Sequence, residues 1–236
     1  MQFQTPLLPA RLLRRYKRFL ADMVLEDGRE VTAHCPNPGA MTGLATPGAR
    51  CWLEPAAPGR KLPYGWRLVD LPGGHRACVD TTLANRVVAE ALARGRITGL
   101  EGLSDIRAEV RLTPGTRVDF AATDADGRPV VIEVKSVTLL RDGWAEFPDS
   151  VTARGTRHLH ELTAAAASGT RAVMLYLISR SDGARLRIAA DIDPAYARAF
   201  DAARAGGVEV LAQGCRITPE TLAIGTPVPV DPAPQA

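Results

Sequence analysis

Apolar positions in the first third of the chain come in short bursts, whereas beyond residue 80 they come in longer and more regular runs, and the two patterns predict different architectures. From Met1 to about Val79 the apolar stretches are Arg18 to Leu25, Arg29 to Cys35, Ala49 to Leu53 and Trp66 to Leu71, with Pro or Gly every few residues. Turn signals such as Glu26-Asp27-Gly28 and Pro72-Gly73-Gly74 separate them, so this part predicts a small antiparallel barrel. After Cys78, Asp80-Thr81-Thr82 offers helix caps, and Leu83 to Arg94 is a run of helix formers ending at Gly95. The pattern then predicts strands over 107–112, 117–123 and 130–137, with turns at Pro114-Gly115 and Asp126-Gly127. A helix over about 150–167, a strand over 171–179, a helix over 194–205 and a strand over 208–212 complete the series.

The expected organisation is an OB-like β-barrel over residues 1–80, a mixed α/β domain over 81–224 and a proline-rich flexible tail over 225–236. With 46% hydrophobic residues in 236, the chain has ample material for a core. Its formal charge is only +3, but the surplus is local: residues 1 to 18 hold Arg11, Arg14, Arg15, Lys17 and Arg18 and no acid. Cys35, Cys51, Cys78 and Cys215 form no Cys-x-x-Cys pair, which argues against a zinc knuckle or a disulfide framework. No stretch approaches the roughly 18 apolar residues of a membrane span, and the first residues lack the pattern of a signal peptide. The expected compartment is the cytoplasm, with thiols reduced and no membrane partner.

Val131-Ile132-Glu133-Val134-Lys135-Ser136-Val137 places a carboxylate and an amine two residues apart on a buried-type strand, and Asp119 precedes them by fourteen residues on the strand before. The side-chain period of two puts Glu133 and Lys135 on one face. Burying both ions costs several kcal/mol each, to order of magnitude, unless each finds a partner. One such partner is a divalent cation, since Mg²⁺ prefers oxygen ligands and retains waters, and two carboxylates on adjacent strands can hold it from one side. An ordinary Glu to Lys pair on a solvated face fits the same pattern. Helix, three strands and helix, with Asp119 on the second strand and Glu133-x-Lys135 on the third, resembles the restriction-endonuclease-like PD-(D/E)XK core. The resemblance implies metal ligation by the acids and a lysine that helps activate the attacking water. Glu90 on the preceding helix is a further candidate metal ligand, its alternative being a surface pair with Arg86, and Glu109 is a weaker one.

On the helix that follows, Arg154, His158 and Glu161 share a face at i, i+4 and i+7, suited to gripping phosphate or equally to facing solvent. His158 and His160 point apart at i and i+2, which rejects zinc. Asp149 or Ser150 is expected to be that helix's N-cap and nothing more. Asn37-Pro38-Gly39-Ala40-Met41-Thr42-Gly43 is glycine-rich without a P-loop ending, so a tight turn is expected, with Asn37 at its start able to touch a ligand. Arg14-Arg15-Tyr16-Lys17-Arg18-Phe19 interleaves cations and aromatics as a phosphate-tracking strand would, with Arg15 and Lys17 on one side and Arg18 on the other.

Taken together, Arg15 to Asp22, His34-Cys35-Pro36-Asn37 with Gly39 to Gly43, Asn85-Arg86, Arg117 to Phe120, Glu133 to Thr138, and Phe147-Pro148-Asp149 with Arg154-Gly155 and His158-Leu159 resemble the bacterial sugar fermentation stimulation protein A family. Pro38 departs from it, where a threonine is expected. The resemblance implies a cytosolic DNA-binding protein, linked to regulation of maltose and other sugar metabolism, with an OB-like domain and a nuclease-like domain. Two functions follow. One is a Mg²⁺- or Mn²⁺-dependent nuclease using Glu90, Asp119, Glu133 and Lys135. The other is a non-specific DNA-binding regulator that uses Arg15, Lys17, Arg18, Arg154 and His158 on nucleic acid and keeps the acids as a relic. No helix-turn-helix is apparent, which disfavours a specific operator, and no sugar-phosphate loop is recognisable.

Overall fold

A computed structural model of the protein describes residues 1–113 and 116–231. The predicted turn at Pro114-Gly115 and the end of the predicted tail from Pro232 lie outside the described residues.

The first half is a barrel of β1 (Leu8–Tyr16), β2 (Leu20–Leu25), β3 (Glu30–His34), β4 (Arg50–Pro55) and β5 (Tyr64–Asp70), with β6 (Arg76–Cys78) added beside β5. Strand order is β3-β2-β1-β4-β5, and parallel pairing of Ala33 with Tyr64 and His34 with Gly65 closes the ring. Closure removes the exposed edges of a five-stranded sheet. Alternation fills it: Ala21, Met23 and Leu25 of β2 are buried with Leu12, Leu53 and Trp66, as the period of two requires. The expected strand through Arg14 to Phe19 does not run that far. Lys17 and Arg18 take φ of 47° and 64° and form the turn between β1 and β2, so their side chains do not alternate as on a strand.

The second half comprises α1 (Leu83–Ala93), β7 (Ser104–Thr113), β8 (Thr116–Thr123), β9 (Pro129–Val137), β10 (Leu139–Arg141), β11 (Trp144–Phe147), α2 (Ala153–Ala167), β12 (Arg171–Ile178), β13 (Leu186–Ile188), α3 (Pro194–Ala205), β14 (Glu209–Ile217) and β15 (Leu222–Pro227). A six-stranded sheet runs β15-β14-β12-β9-β8-β7, parallel across β9, β12 and β14 and antiparallel elsewhere. Its central strands β9 and β12 are largely apolar on both faces, as strands covered by helices on either side must be. Ile132 and Val134 of β9 pack with α1, while Val131 and Val137 pack with α2 and α3. A small sheet, β10-β11-β13, was not expected from the sequence pattern.

The two halves share a core. Leu7, Leu68 and Cys78 from the barrel side pack with Val87 and Val88 of α1 and with the sheet. Backbone bonds from Cys78 to Ser179 at 2.8 Å and from Ser181 to Arg76 at 2.9 Å tie β6 to the end of β12. All four cysteines are buried free thiols, and among the described residues no helix is long and apolar enough to cross a membrane.

Two expectations are corrected here. Helix α2 is capped by Thr152, whose side chain accepts from the Gly155 amide at 3.1 Å, and not by Asp149 or Ser150. The segment 225–231 is part of the fold: Gly225 to Pro227 end β15, Val228 donates to the Ala212 carbonyl at 2.9 Å, and Leu186 donates to the Pro229 carbonyl at 2.9 Å. Val228 and Val230 bury apolar surface against the α2/α3 side, while the prolines fall where no backbone donor is used.

Candidate active site

The strands β8 and β9 are in register up to Phe120 and Ile132, and there the ladder stops. The next amide of β9 that would pair, Val134, donates instead to Asp119 Oδ2 at 2.7 Å. Asn85 of α1 donates to the other oxygen, Oδ1, at 2.7 Å. Val118 and Phe120 lie two residues apart on one strand yet belong to cores on opposite sides of the sheet, so β8 rolls over at Asp119. Glu109, which the flanking pairs Ala108 with Phe120 and Val110 with Val118 place opposite Asp119, has a φ of 55°. Local irregularity of this kind re-aims side chains at strand ends.

Glu133 and Lys135 share a face, as their spacing requires, and Lys135 Nζ donates to Glu133 Oε1 at 2.6 Å. His158 of α2 meets the same oxygen through Nδ1. Arg154 Nε donates to His158 Nε2 at 3.2 Å, and since that nitrogen must accept, the proton sits on Nδ1 and is donated to Glu133. Lys135 Nζ lies 3.2 Å from the same Nδ1. Glu133, His158 and Asp119 are largely or wholly withdrawn from solvent. Burial pushes the Asp119 carboxyl up, and the negative charge of Glu133 pushes it further. Burial acts on Glu133 in the same direction, but the His158 hydrogen bond and the Lys135 charge outweigh it and hold its carboxyl below the usual range.

Asp119, Glu133, Lys135, Arg154 and His158 line one cleft of about 1010 Å³ between the barrel and the sheet, together with Arg15, Arg18 and Glu109. Lys17 is not among the lining residues. Neither is Glu90, which binds the amino terminus of Met1 at 2.8 Å and Arg94 at 2.7 Å. The amino terminus, by its hydrogen bond and charge, holds the Glu90 carboxyl below its usual range. The reason is helical geometry: Glu90 lies five residues beyond Asn85, about 140° around the helix at 100° per residue, and Asn85 is the residue turned to Asp119. Arg15, expected as a phosphate ligand, organises a loop: it donates to the carbonyls of Asn37 at 2.8 Å, Gly39 at 3.0 Å, Arg18 at 3.0 Å and Ala40 at 3.4 Å.

Among the lining residues, Asn85 and Asp149 were absent from the expected site. Asn85 was visible only as part of a motif. Asp149, expected to be a helix cap, accepts from the Met41 amide at 3.3 Å and rests on Gly39, where any added Cβ would lie 2.2 Å from its carboxylate. Asn37, expected to start a tight turn and to be able to touch a ligand, is 2% exposed and lines the cleft.

Among the described residues no three His, Cys, Asp or Glu side chains converge as a preformed metal cage. The donor set fits a hard cation that keeps its waters: two neighbouring carboxylates, Asp119 and Glu133, the first pushed up by burial and further by the charge of the second, a cost that a bound cation relieves.

Comparison with known proteins follows the same division of the chain. The family model for the SfsA N-terminal OB domain matches residues 13–79, and that for the sugar fermentation stimulation protein RE domain matches residues 82–221. The chain is 60% identical to a sugar fermentation stimulation protein homolog of Jannaschia sp. (strain CCS1), over 100% of this chain and 99% of that one. It is 58% identical to the homolog from Dinoroseobacter shibae, over 100% and 98%. Among solved structures it resembles "The structure of Pyrococcus Furiosus SfsA in complex with Ca2+", with a TM-score of 0.88, 27% identity and 98% of each chain covered.

Proposed function

The chain belongs to the sugar fermentation stimulation protein family, and from that premise we propose that it is a cytoplasmic DNA-binding protein whose cleft hydrolyses phosphodiester bonds with Mg²⁺ or Mn²⁺. The observation that carries the reading is the gathering of Asp119, Glu133 and Lys135 in one cleft, with His158 and Arg154 behind them. Asp119 and Glu133 would hold the ion, which would supply Lewis-acid polarisation and a bound water more acidic than bulk water. The Pyrococcus furiosus relative was solved with Ca²⁺, a hard cation of the same ligand preference.

The protein's own groups have separable tasks. Asn85 and the Val134 amide fix both oxygens of Asp119. Arg154 sets the tautomer of His158, and His158 in turn orients Glu133, so the carboxylate is aimed before any ligand arrives. Lys135 places positive charge where negative charge builds on the phosphorus oxygens during attack. Arg18 and Arg154 supply cations for flanking phosphates, contacts that position a strand without reading its bases.

A second reading has its own support: Glu133 Oε1 already accepts from both Lys135 and His158, as in a buried polar network that needs no metal. On that reading the protein is a non-specific DNA-binding regulator connected to maltose and sugar metabolism. Incubating the purified protein with single- and double-stranded DNA and RNA, with Mg²⁺, Mn²⁺ or EDTA, separates the two. Metal-dependent cleavage that Glu133→Ala abolishes is expected. Salt-sensitive binding with no cleavage under either metal would select the regulator.

A further inference from the structure

Asn37 is among the most deeply buried polar residues of the barrel, 2% exposed, and its amide nitrogen Nδ2 is buried with no hydrogen-bond partner among the described residues. The orientation of the amide is not in question, because the Gly39 backbone N–H donates to Asn37 Oδ1 at 2.8 Å and only the oxygen can accept there. Asn37 is one of the residues that line the cleft, so its NH₂ group is a buried donor of the cleft wall without a protein acceptor among the described residues. Buried amide donors are rarely left unpaired, and one that borders a reaction cleft marks the place of an acceptor.

The loop bearing Asn37 is held from both sides. Arg15 bonds the carbonyls of Asn37, Gly39 and Ala40 from the barrel. Asp149 reaches over from the other half, accepting from Met41 and packed on Gly39 so closely that no side chain fits between them. Such clamping fixes the position of Nδ2, and the unsatisfied donor is a property of a rigid loop.

We infer that Asn37 Nδ2 donates to a non-bridging phosphate oxygen of a nucleic-acid strand lying in the cleft, so that the binding site is built jointly by the barrel and the nuclease-like half. The inference rests on the nucleic-acid reading proposed above. A donor-only group excludes a metal ion as its ligand; the cleft also holds carboxylates, Asp149 against the Asn37 loop among them, but Arg18 and Arg154 supply cations that favour an anionic acceptor over a neutral carbonyl. The barrel thereby acts as a positioning element for the strand opposite Asp119 and Glu133.

The test uses the full-length protein. Asn37→Asp keeps the acceptor for Gly39 and converts the donor into a repelling oxygen; Asn37→Ala removes the donor without adding charge. The expected result is a loss of affinity for an oligonucleotide of about tenfold or more in each. Asn37→Asp keeps the Gly39 contact but buries a carboxylate at the unpaired position and should melt below the wild type, so affinities are compared at a temperature where every variant is folded. The Asn37→Ala defect should persist at high salt, where a long-range charge effect is screened. Resonances of the wild-type Asn37 side-chain amide, identified by their absence in both variants, should shift on adding the oligonucleotide and on adding inorganic phosphate.

Wild-type oligonucleotide binding with an unshifted amide and unchanged affinity in both variants overturns the inference and leaves the proposed function standing. If the wild type binds no nucleic acid, the proposed function falls. The inorganic phosphate titration then decides the anion site, a shift supporting it and no shift overturning it.

Discussion

The Asp119 carboxylate accepts the Val134 backbone amide at 2.7 Å, so the side chain that would bind metal also terminates the pairing of β8 with β9. Structure and chemistry are coupled at this one group, and substitutions there separate them. Asp119→Ala leaves the Val134 N–H and the Asn85 amide without their acceptor, and unfolding in urea should show a loss of about 1–3 kcal/mol. Asp119→Asn retains an acceptor for Val134, and an amide flip at Asn85 restores the second bond. Its stability should fall by less than about 1 kcal/mol, while a titration with Mn²⁺ shows weakened binding.

Lys135 sits against Glu133 at 2.6 Å, and its proposed task belongs to the attack on phosphorus and not to holding the ion. Lys135→Met should bind Mn²⁺ and oligonucleotide nearly as the wild type does and lose about 10²–10³ in kcat. Single-turnover rates alongside a metal titration check this. Equal losses in metal affinity and rate would assign Lys135 to the arrangement of Glu133 instead.

Arg15 and Arg18 are neighbours in sequence with different expected phenotypes. Arg15 contributes four hydrogen bonds to loop carbonyls, so Arg15→Ala should lower the melting temperature and weaken nucleic-acid binding through the loop. Arg18→Ala should leave the melting temperature unchanged and reduce the slope of log K against log salt by about 0.7–0.9, the loss of one phosphate contact.

The Arg180 to Asp182 pair provides a pH-dependent contribution outside the cleft. Burial pushes the Asp182 carboxyl up, but the hydrogen bonds from Arg180 at 2.6 and 2.8 Å and its charge more than offset this, and the carboxyl titrates below its usual range. A carboxyl depressed in the folded state stabilises above the unfolded value, and that stability is lost as pH falls through the folded value. Asp182→Asn should therefore melt below the wild type at pH 7, with the gap closing from about pH 4 downward. Thermal melts across that range check it.

The sequence by itself determined the features that depend on short-range periodicity. Glu133 and Lys135 share a face because a strand repeats every two residues. Asp119 lies beside them because two strands joined by Asp126-Gly127 must pair. The barrel was legible from short apolar stretches at close spacing, separated by turn signals such as Glu26-Asp27-Gly28 and Pro72-Gly73-Gly74. Tertiary structure decided what periodicity does not encode. Glu90 and Asn85 are both polar positions on α1, and only the way the helix docks turns Asn85 to Asp119 and Glu90 to the amino terminus of Met1. Arg15 read as a phosphate ligand until the folding of residues 37 to 40 back over β1 gave its guanidinium three carbonyls, beside a fourth from Arg18 in the turn. Asp149 read as a helix cap because its partner, the Met41 amide, is 108 residues away. Asn37 is distinguished by an unpaired buried donor, and burial and lack of a partner are consequences of packing that leave no local trace in the chain.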